Sequence, residues 1–191
     1  VRNQSGNIFT DRQLVDQVLG GDPHAFGYII KNTEGLVAQI VLKLIPNRED
    51  RKDIAQDIYL KAFHHLNRFR FQSKLSTWIG QIAYNTCISW LEKKKLVLVM
   101  DPDTPDHGPA IDEETDGFVL RKELAGILQT EIGRLPPLYQ TLVGLYHQEE
   151  IGYMEMAEIT SLPVGTVKSY LFRARKILKD SLLSKYKKEA L

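Results

Sequence analysis

Residues 151–178 read IGYMEMAEITSLPVGTVKSYLFRARKIL, and this stretch decides the fold. A short helical segment holding Met154, Ala157 and Ile159 stops at Thr160-Ser161-Leu162. Pro163 then opens a second helix, where proline is suited because an N–H at the first position has no intrahelical partner. Ala157 is small where two helices must cross closely, and Leu162 and Val167 can plug the angle between them. This spacing predicts a helix-turn-helix whose second helix enters a DNA major groove. Its exposed positions are Val164, Thr166, Lys168 and Ser169, then Phe172, Arg173, Arg175 and Lys176. The early ones can meet base edges. Arg173, Arg175 and Lys176 suit phosphates, which fix register rather than sequence preference. The competing reading is an ordinary helical hairpin with a basic face. The small residue, turn, proline and basic run coincide, and that weighs against it.

Outward from this motif, helical periodicity covers almost the whole chain and no convincing strand occurs. Upstream, helices are predicted at 11–19, from the Asp22-Pro23 restart, at 36–45, at 49–66 and at 76–94. Helices at 118–132, 136–146, 153–160 and 164–185 complete the pattern. Between 99 and 117 it fails, where Pro102, Pro105, Gly108 and Pro109 stand among acidic residues. The expected fold is all-α: two small helical domains, 8–97 and 118–188, joined by an acidic flexible linker at 98–117.

Of the 191 residues 43% are hydrophobic, which argues against disorder along the whole length. The single cysteine, Cys87, excludes an intramolecular disulfide framework and a cysteine-rich zinc site, and fits a reducing cytoplasm. The most apolar run, LVAQIVLKLI at 36–45, is too short to span a bilayer and contains Gln39 and Lys43. No targeting segment is visible. A net charge of +1 says little, but its distribution says more. Residues 61–95 carry seven Lys/Arg against one acid, and 163–191 carry eight against two. Residues 96–117 carry seven acids and no Lys/Arg. Two basic blocks around an acidic one fit two nucleic-acid-facing modules whose linker avoids or imitates DNA. Solvated helix faces and a solubilising loop would give the same charges.

Within residues 49–66, Ile54, Ile58 and Ala62 form one stripe, widened by Tyr59 and Phe63. Asp53, Gln56, Asp57 and Leu60 fall on a neighbouring outward face. An acidic and amide surface with an apolar centre suits a basic or polar partner helix. Next comes RFRFQSKLSTWIGQIAYNTCISWLEKKK at 68–95, where aromatics interleave with cations and amides. Single-stranded DNA asks for this mixture: rings stack unpaired bases, cations neutralise phosphates and amides read base edges. Phe69, Phe71 and Trp78 are the candidate rings, although composition alone favours a core role for Trp78 and Tyr84.

The string LPVGTVKSYLFRARKIL, with the preceding LPPLYQTLVGLYHQEEIGYMEMAEI, closely resembles region 4 of bacterial RNA polymerase sigma factors of the sigma-70 family. In that family this module grips the minus-thirty-five promoter element. Tyr170 stands where the family usually has Arg, and Gly152 where a Ser or Thr cap is common. The pattern D-x-x-Q-D-x-Y-L-K-A-F resembles region 2, with Asp57 where Glu is usual; the corresponding face binds the coiled coil of the polymerase's largest subunit. The resemblance thus implies core binding by Asp53, Gln56, Asp57 and Leu60. The segment S-T-W-I-x-x-I-A-Y-N resembles the part of region 2 that opens and reads the minus-ten element, where a base of the non-template strand is extruded into a pocket. It assigns minus-ten contacts to Phe71, Gln72, Ser73, Lys74, Trp78 and Asn85, with Lys93 and Lys94 on phosphates. Ser89 and Glu92 stand where Asp and Arg are common, so promoter preference does not carry over.

The resemblance runs from about residue 10 to 186 and lacks region 3, as in the extracytoplasmic-function (ECF) group. It implies core RNA polymerase and promoter DNA, duplex and melted, as partners, and an anti-sigma factor as a further one. The acidic linker is expected to thread through polymerase in place of region 3. No cofactor, metal or small-molecule substrate is expected, and no enzymatic activity. No phosphate-binding G-x-x-x-x-G-K-[ST] loop or H-E-x-x-H occurs, and adjacent His64 and His65 cannot chelate from one helical face. Two rivals remain. One is a helix-turn-helix regulator that binds duplex DNA without being a polymerase subunit, and the other a helical adaptor that binds only proteins. Dependence on core polymerase separates the first from a sigma factor; the basic blocks speak against the second.

Overall fold

The computed structural model describes residues 9–100 and 119–189. The first helix, α1 (Asp11–Leu19), begins with a reciprocal capping box: the Gln13 N–H donates to the Thr10 hydroxyl and the Thr10 N–H to the Gln13 side chain. Asp22 caps α2 (Pro23–Leu44) by accepting the His24 N–H at 2.9 Å. α2 is continuous, whereas the sequence pattern weakened between its start and residue 36. Thr33 explains the difference: it is buried, but its hydroxyl donates to the Ile29 carbonyl at 2.8 Å and lies 3.2 Å from the Tyr59 hydroxyl. A satisfied hydroxyl interrupts the apolar pattern without interrupting the helix.

Pro46 follows the end of α2, and Arg51 donates to the freed Ile45 and Pro46 carbonyls at 2.9 and 3.2 Å. Asn47 caps α3 (Arg48–His65), which a 3-10 turn, Leu66–Arg68, extends. After a short loop, α4 (Leu75–Met100) runs past residue 94, so residues 98–100, assigned above to the linker, are helical. The next proline is Pro102, and Leu96, Val97 and Leu98 carry nothing that stops a helix. The rest of the linker and the first residue of each expected domain, 8 and 118, lie outside the described residues. Then come α5 (Val119–Gly133), α6 (Pro137–His147), α7 (Tyr153–Thr160) and α8 (Val164–Glu189). No strand occurs among the described residues, and the fold is all-α.

Leu14, Ile29, Ile40, Ile58 and Ile79 fill the centre of α1–α4. Leu142, Leu145, Met156, Val167 and Leu171 do the same for the C-terminal helices. Each fully buried side chain of this size contributes about 1.5–3 kcal/mol. The two halves are not beads on a string: α6 packs on α2, and α7 on α4. Gly80 of α4 makes the second contact possible. A Cβ there would stand 3.1 Å from Ile159 Cδ1 and 3.2 Å from Leu36 Cδ2, so an alanine would force its neighbours apart. At the first contact Gly144 faces Gln39, whose side-chain amide donates to Gln148 Oε1.

Candidate nucleic-acid interface

The helix-turn-helix forms as its sequence predicts. Ser161 ends α7 with a left-handed φ of 56°, which turns the chain sharply enough for α8 to cross. For a residue with a Cβ this conformation costs about 1–2 kcal/mol. Gly152 caps α7 without a side-chain partner. Val167, Leu171, Ala174 and Leu178 bury one stripe of α8, and Val167 fills the helix–helix angle. Lys168, Ser169, Phe172, Arg173, Arg175 and Lys176 lie exposed on the other side, with Val164 and Thr166 half-buried at the start. Phe172 is 69% exposed, a large apolar surface to leave in water.

Several cations on this face rest on aromatic rings: Arg175 lies 4.8 Å from the Tyr146 ring, Lys168 5.6 Å from Tyr153 and Arg173 6.0 Å from Tyr170. A hydrogen bond from Tyr146, with the charges of Arg175 and Lys168, pulls the Tyr153 hydroxyl below its usual range. Tyr170 packs 5.3 Å from Tyr139. Its ring thereby joins the packing of α6 on α8.

In the N-terminal half, the loop before α4 is held from a distance. Asp11, at the start of α1, accepts the Leu75 N–H at 2.8 Å and so caps α4 with a negative charge. Phe71 adopts a left-handed φ of 56°, unusual for a bulky residue. Its ring lies 4.8 Å from Phe69 and beneath the Arg12 guanidinium at 4.5 Å. Phe69 in turn meets Trp78 at 5.3 Å. Phe69 itself is buried and forms the floor, while Phe71 and Trp78 are half-buried. An open cleft of about 360 Å³ sits here, lined by Arg68, Arg70, Gln72, Ser73, Trp78 and Gln81, with Phe69 below and Glu158 of α7 at its edge.

The structure thus gathers Gln72, Ser73 and Trp78 at one cleft, with Phe71 beside it. Lys74 is not part of that lining; its ammonium lies 2.5 Å from Glu155 of α7, a contact that raises its pKa. Asn85 is exposed two turns along α4 from Trp78, about 10 Å away at the rise of a helix. Lys93 is exposed farther along. Lys94 is partly engaged, 3.5 Å from Asp50 and 4.5 Å from the Trp90 ring. Sequence reasoning missed Asp11, Arg12 and Glu158, because each reaches the loop across the fold; Arg68, Arg70 and Gln81 were legible only as members of the basic-aromatic segment.

On α3, Asp53, Gln56, Asp57 and Leu60 share one exposed face, opposite buried Ile54, Ile58 and Ala62. Asp57 pairs with Lys61 at 2.7 Å, and the Lys61 ammonium donates to Thr86 at 3.3 Å. Leu60 is 58% exposed at the centre. Cys87 is fully buried and its thiol is pushed up to about 12, which keeps it neutral and unreactive.

Comparison with known proteins follows the same outline. The Sigma-70 region 2 family matches residues 29–97, and the Sigma-70, region 4 family matches 125–178. The chain is 32% identical over 181 residues to the ECF RNA polymerase sigma-E factor of Haemophilus influenzae, covering 91% of this chain and 95% of the relative. It is 30% identical over 179 residues to the ECF RNA polymerase sigma factor SigW of Bacillus subtilis, covering 90% and 96%. Among solved structures it resembles the sigma factor RpoE of Bartonella quintana, solved with the anti-sigma factor NepR, with a TM-score of 0.68 and 22% identity over 82% of this chain and 96% of that one. It also resembles CnrH, solved with the cytosolic domain of CnrY, with a TM-score of 0.64 and 22% identity over 91% and 97%. A helix-turn-helix behind a helical domain with an acidic exposed face and an aromatic-basic cleft therefore has its place: the chain belongs to the ECF family of RNA polymerase sigma factors.

Proposed function

We propose that this chain binds core RNA polymerase through the α3 face, carries it to promoters and opens the minus-ten element within the cleft before α4. The observation that carries this reading is the cleft itself, which two aromatic rings, two arginines, two amides and a hydroxyl line together with the Glu158 carboxylate. It offers an unpaired base a stacking surface and the adjoining phosphates their counter-charge. Asp53, Gln56, Asp57 and Leu60 dock the polymerase. Phe71, Gln72, Ser73, Lys74, Trp78 and Asn85 meet the melted strand, with Lys93 and Lys94 on its backbone. Val164, Thr166, Lys168 and Ser169 read the upstream element, while Phe172, Arg173, Arg175 and Lys176 hold the helix in register on it. The first domain runs to the end of α4 and the second over 118–188, and the linker between them follows polymerase where region 3 would run.

The chain is not an enzyme; it acts by binding, in the cytoplasm. An anti-sigma factor is a further partner, because two DNA-facing modules need masking when idle. The test is a mobility shift on a promoter fragment: a complex is expected with core polymerase and the chain together. A complex of equal affinity with the chain alone would favour the duplex-binding regulator instead.

A further inference from the structure

We infer that Tyr146 is a positioning residue: its ring, stacked on Tyr153, holds Arg175 on one flank of α8, so that the guanidinium meets the DNA backbone from a fixed place. The inference deepens the upstream-element reading of α8 and rests on it. At about 100° per residue, Lys168 and Arg175 fall within about 20° of each other around α8. Both lie on the flank that meets the end of α6 and the start of α7, because their ring partners are Tyr153 and Tyr146. Ser169, Phe172 and Lys176 occupy the middle of the exposed face.

The turn between α6 and α7 brings the two rings together. Tyr146 stands in the last turn of α6 and Tyr153 at the first position of α7. The Ile151 N–H donates to the Leu145 carbonyl at 2.9 Å, and Glu150 takes a left-handed φ of 53°, which folds the chain back. The rings then stack 5.2 Å apart and within 18° of parallel. Each carries one cation: the Arg175 guanidinium lies 4.8 Å from the Tyr146 ring, and the Lys168 ammonium 5.6 Å from the Tyr153 ring.

What holds these cations differs from what holds others in the molecule. Lys61, Lys74, Lys94 and Arg134 are each paired with an acid, whereas among the described residues Lys168 and Arg175 are in no ion pair. A carboxylate partner repels a phosphate and has to be displaced by it. A ring fixes the cation, leaves its charge uncancelled and stays in place when the phosphate arrives. The planar guanidinium rests on the ring by its face and keeps its edge of N–H donors for an anion. A long side chain that is already fixed also gives up less rotamer freedom on binding.

The test uses the chain assembled with core polymerase, on a duplex promoter fragment recovered by run-off transcription from a genomic library, with affinity measured across a salt series. Arg175→Gln should weaken the complex and make its salt slope shallower by about one ion. Tyr146→Leu keeps the bulk and every charge but removes the ring. It should weaken binding about two- to five-fold, as expected for one exposed cation–ring contact, with the salt slope unchanged. Tyr146→Phe restores the ring and should bind within about 1.5-fold of wild type. In the Arg175→Gln background, Tyr146→Leu should lose most of its effect, because the cation it positions is gone. An equal loss in both backgrounds, or a phenylalanine variant as weak as the leucine one, shows a merely structural role and overturns the inference. Wild-type affinity for Tyr146→Leu overturns it as well. Wild-type affinity and slope for Arg175→Gln, or no promoter fragment bound, removes the upstream-element reading of Arg175 and takes the inference with it.

Discussion

Replacing Asp53, Gln56 and Asp57 together with alanine separates docking from folding. All three are exposed, and among the described residues they lose the ion pair Asp57–Lys61 at 2.7 Å, with both side chains about half in water. An exposed pair four residues apart on a helix is worth about 0.3–0.5 kcal/mol. Alanine returns up to about 0.7 kcal/mol per position in helix propensity, so the two effects roughly cancel or favour the variant. The melting temperature should then stay within about 2–4 °C of wild type. Docking should behave differently. If each side chain contributes about 1 kcal/mol to a partly desolvated contact, the triple variant loses about 3 kcal/mol, a fall in affinity of about 100-fold. Fluorescence anisotropy of labelled chain titrated with purified core polymerase measures this, with a thermal melt as the control. Affinity within two-fold of wild type in an intact fold would refute the assignment of α3 as the docking surface.

Other parts of the molecule answer to different measurements. Trp78→Ala should weaken melting of the minus-ten element by about 1–3 kcal/mol of lost stacking, with Trp78→Phe largely restoring it, read by permanganate reactivity of promoter thymines. Equal reactivity for wild type and the alanine variant would return Trp78 to a purely structural role. Arg173→Ala should lower affinity for the upstream element and make its salt dependence shallower by about one ion, as expected for a lost phosphate contact; an unchanged slope and affinity would show that the side chain touches no DNA. Cys87 gives a pH test. Its folded pKa of about 12 lies above its ordinary 9.0, so the stability it supports is complete below pH 9 and is lost as pH rises toward 12. The gap between wild type and Cys87→Ala should narrow or reverse across that window by up to about 1.4 kcal/mol per pH unit in denaturant melts, and parallel curves would contradict the assignment.

Much of this was legible in the residues. Capping side chains announce their helices: Thr10 with Gln13, Asp22 before Pro23 and Asn47 after Pro46 all act locally, within reach of a sequence reading. The exposed face of α3 follows from periodicity, because buried Ile54, Ile58 and Ala62 fix which way the helix turns. What failed to show was long-range. Thr33 and Gly35 look like weak points in α2, yet one bonds across to Tyr59 and the other faces Glu149. Gly80 looks like a defect in α4 until Ile159 of α7 lands on it. The cap on α4 comes from Asp11, more than sixty residues earlier in the chain. The cleft was foreseen as a mixture of rings and cations, but no spacing within 68–81 could reveal that Glu158 closes its edge.

The most direct test of the account is run-off transcription with purified core polymerase on a genomic promoter library, with and without this chain. Discrete transcripts should appear only when the chain is added, from start sites sharing two elements about 25 base pairs apart. Transcripts independent of the chain, or specific duplex binding by the chain that neither needs core polymerase nor directs initiation, would contradict it.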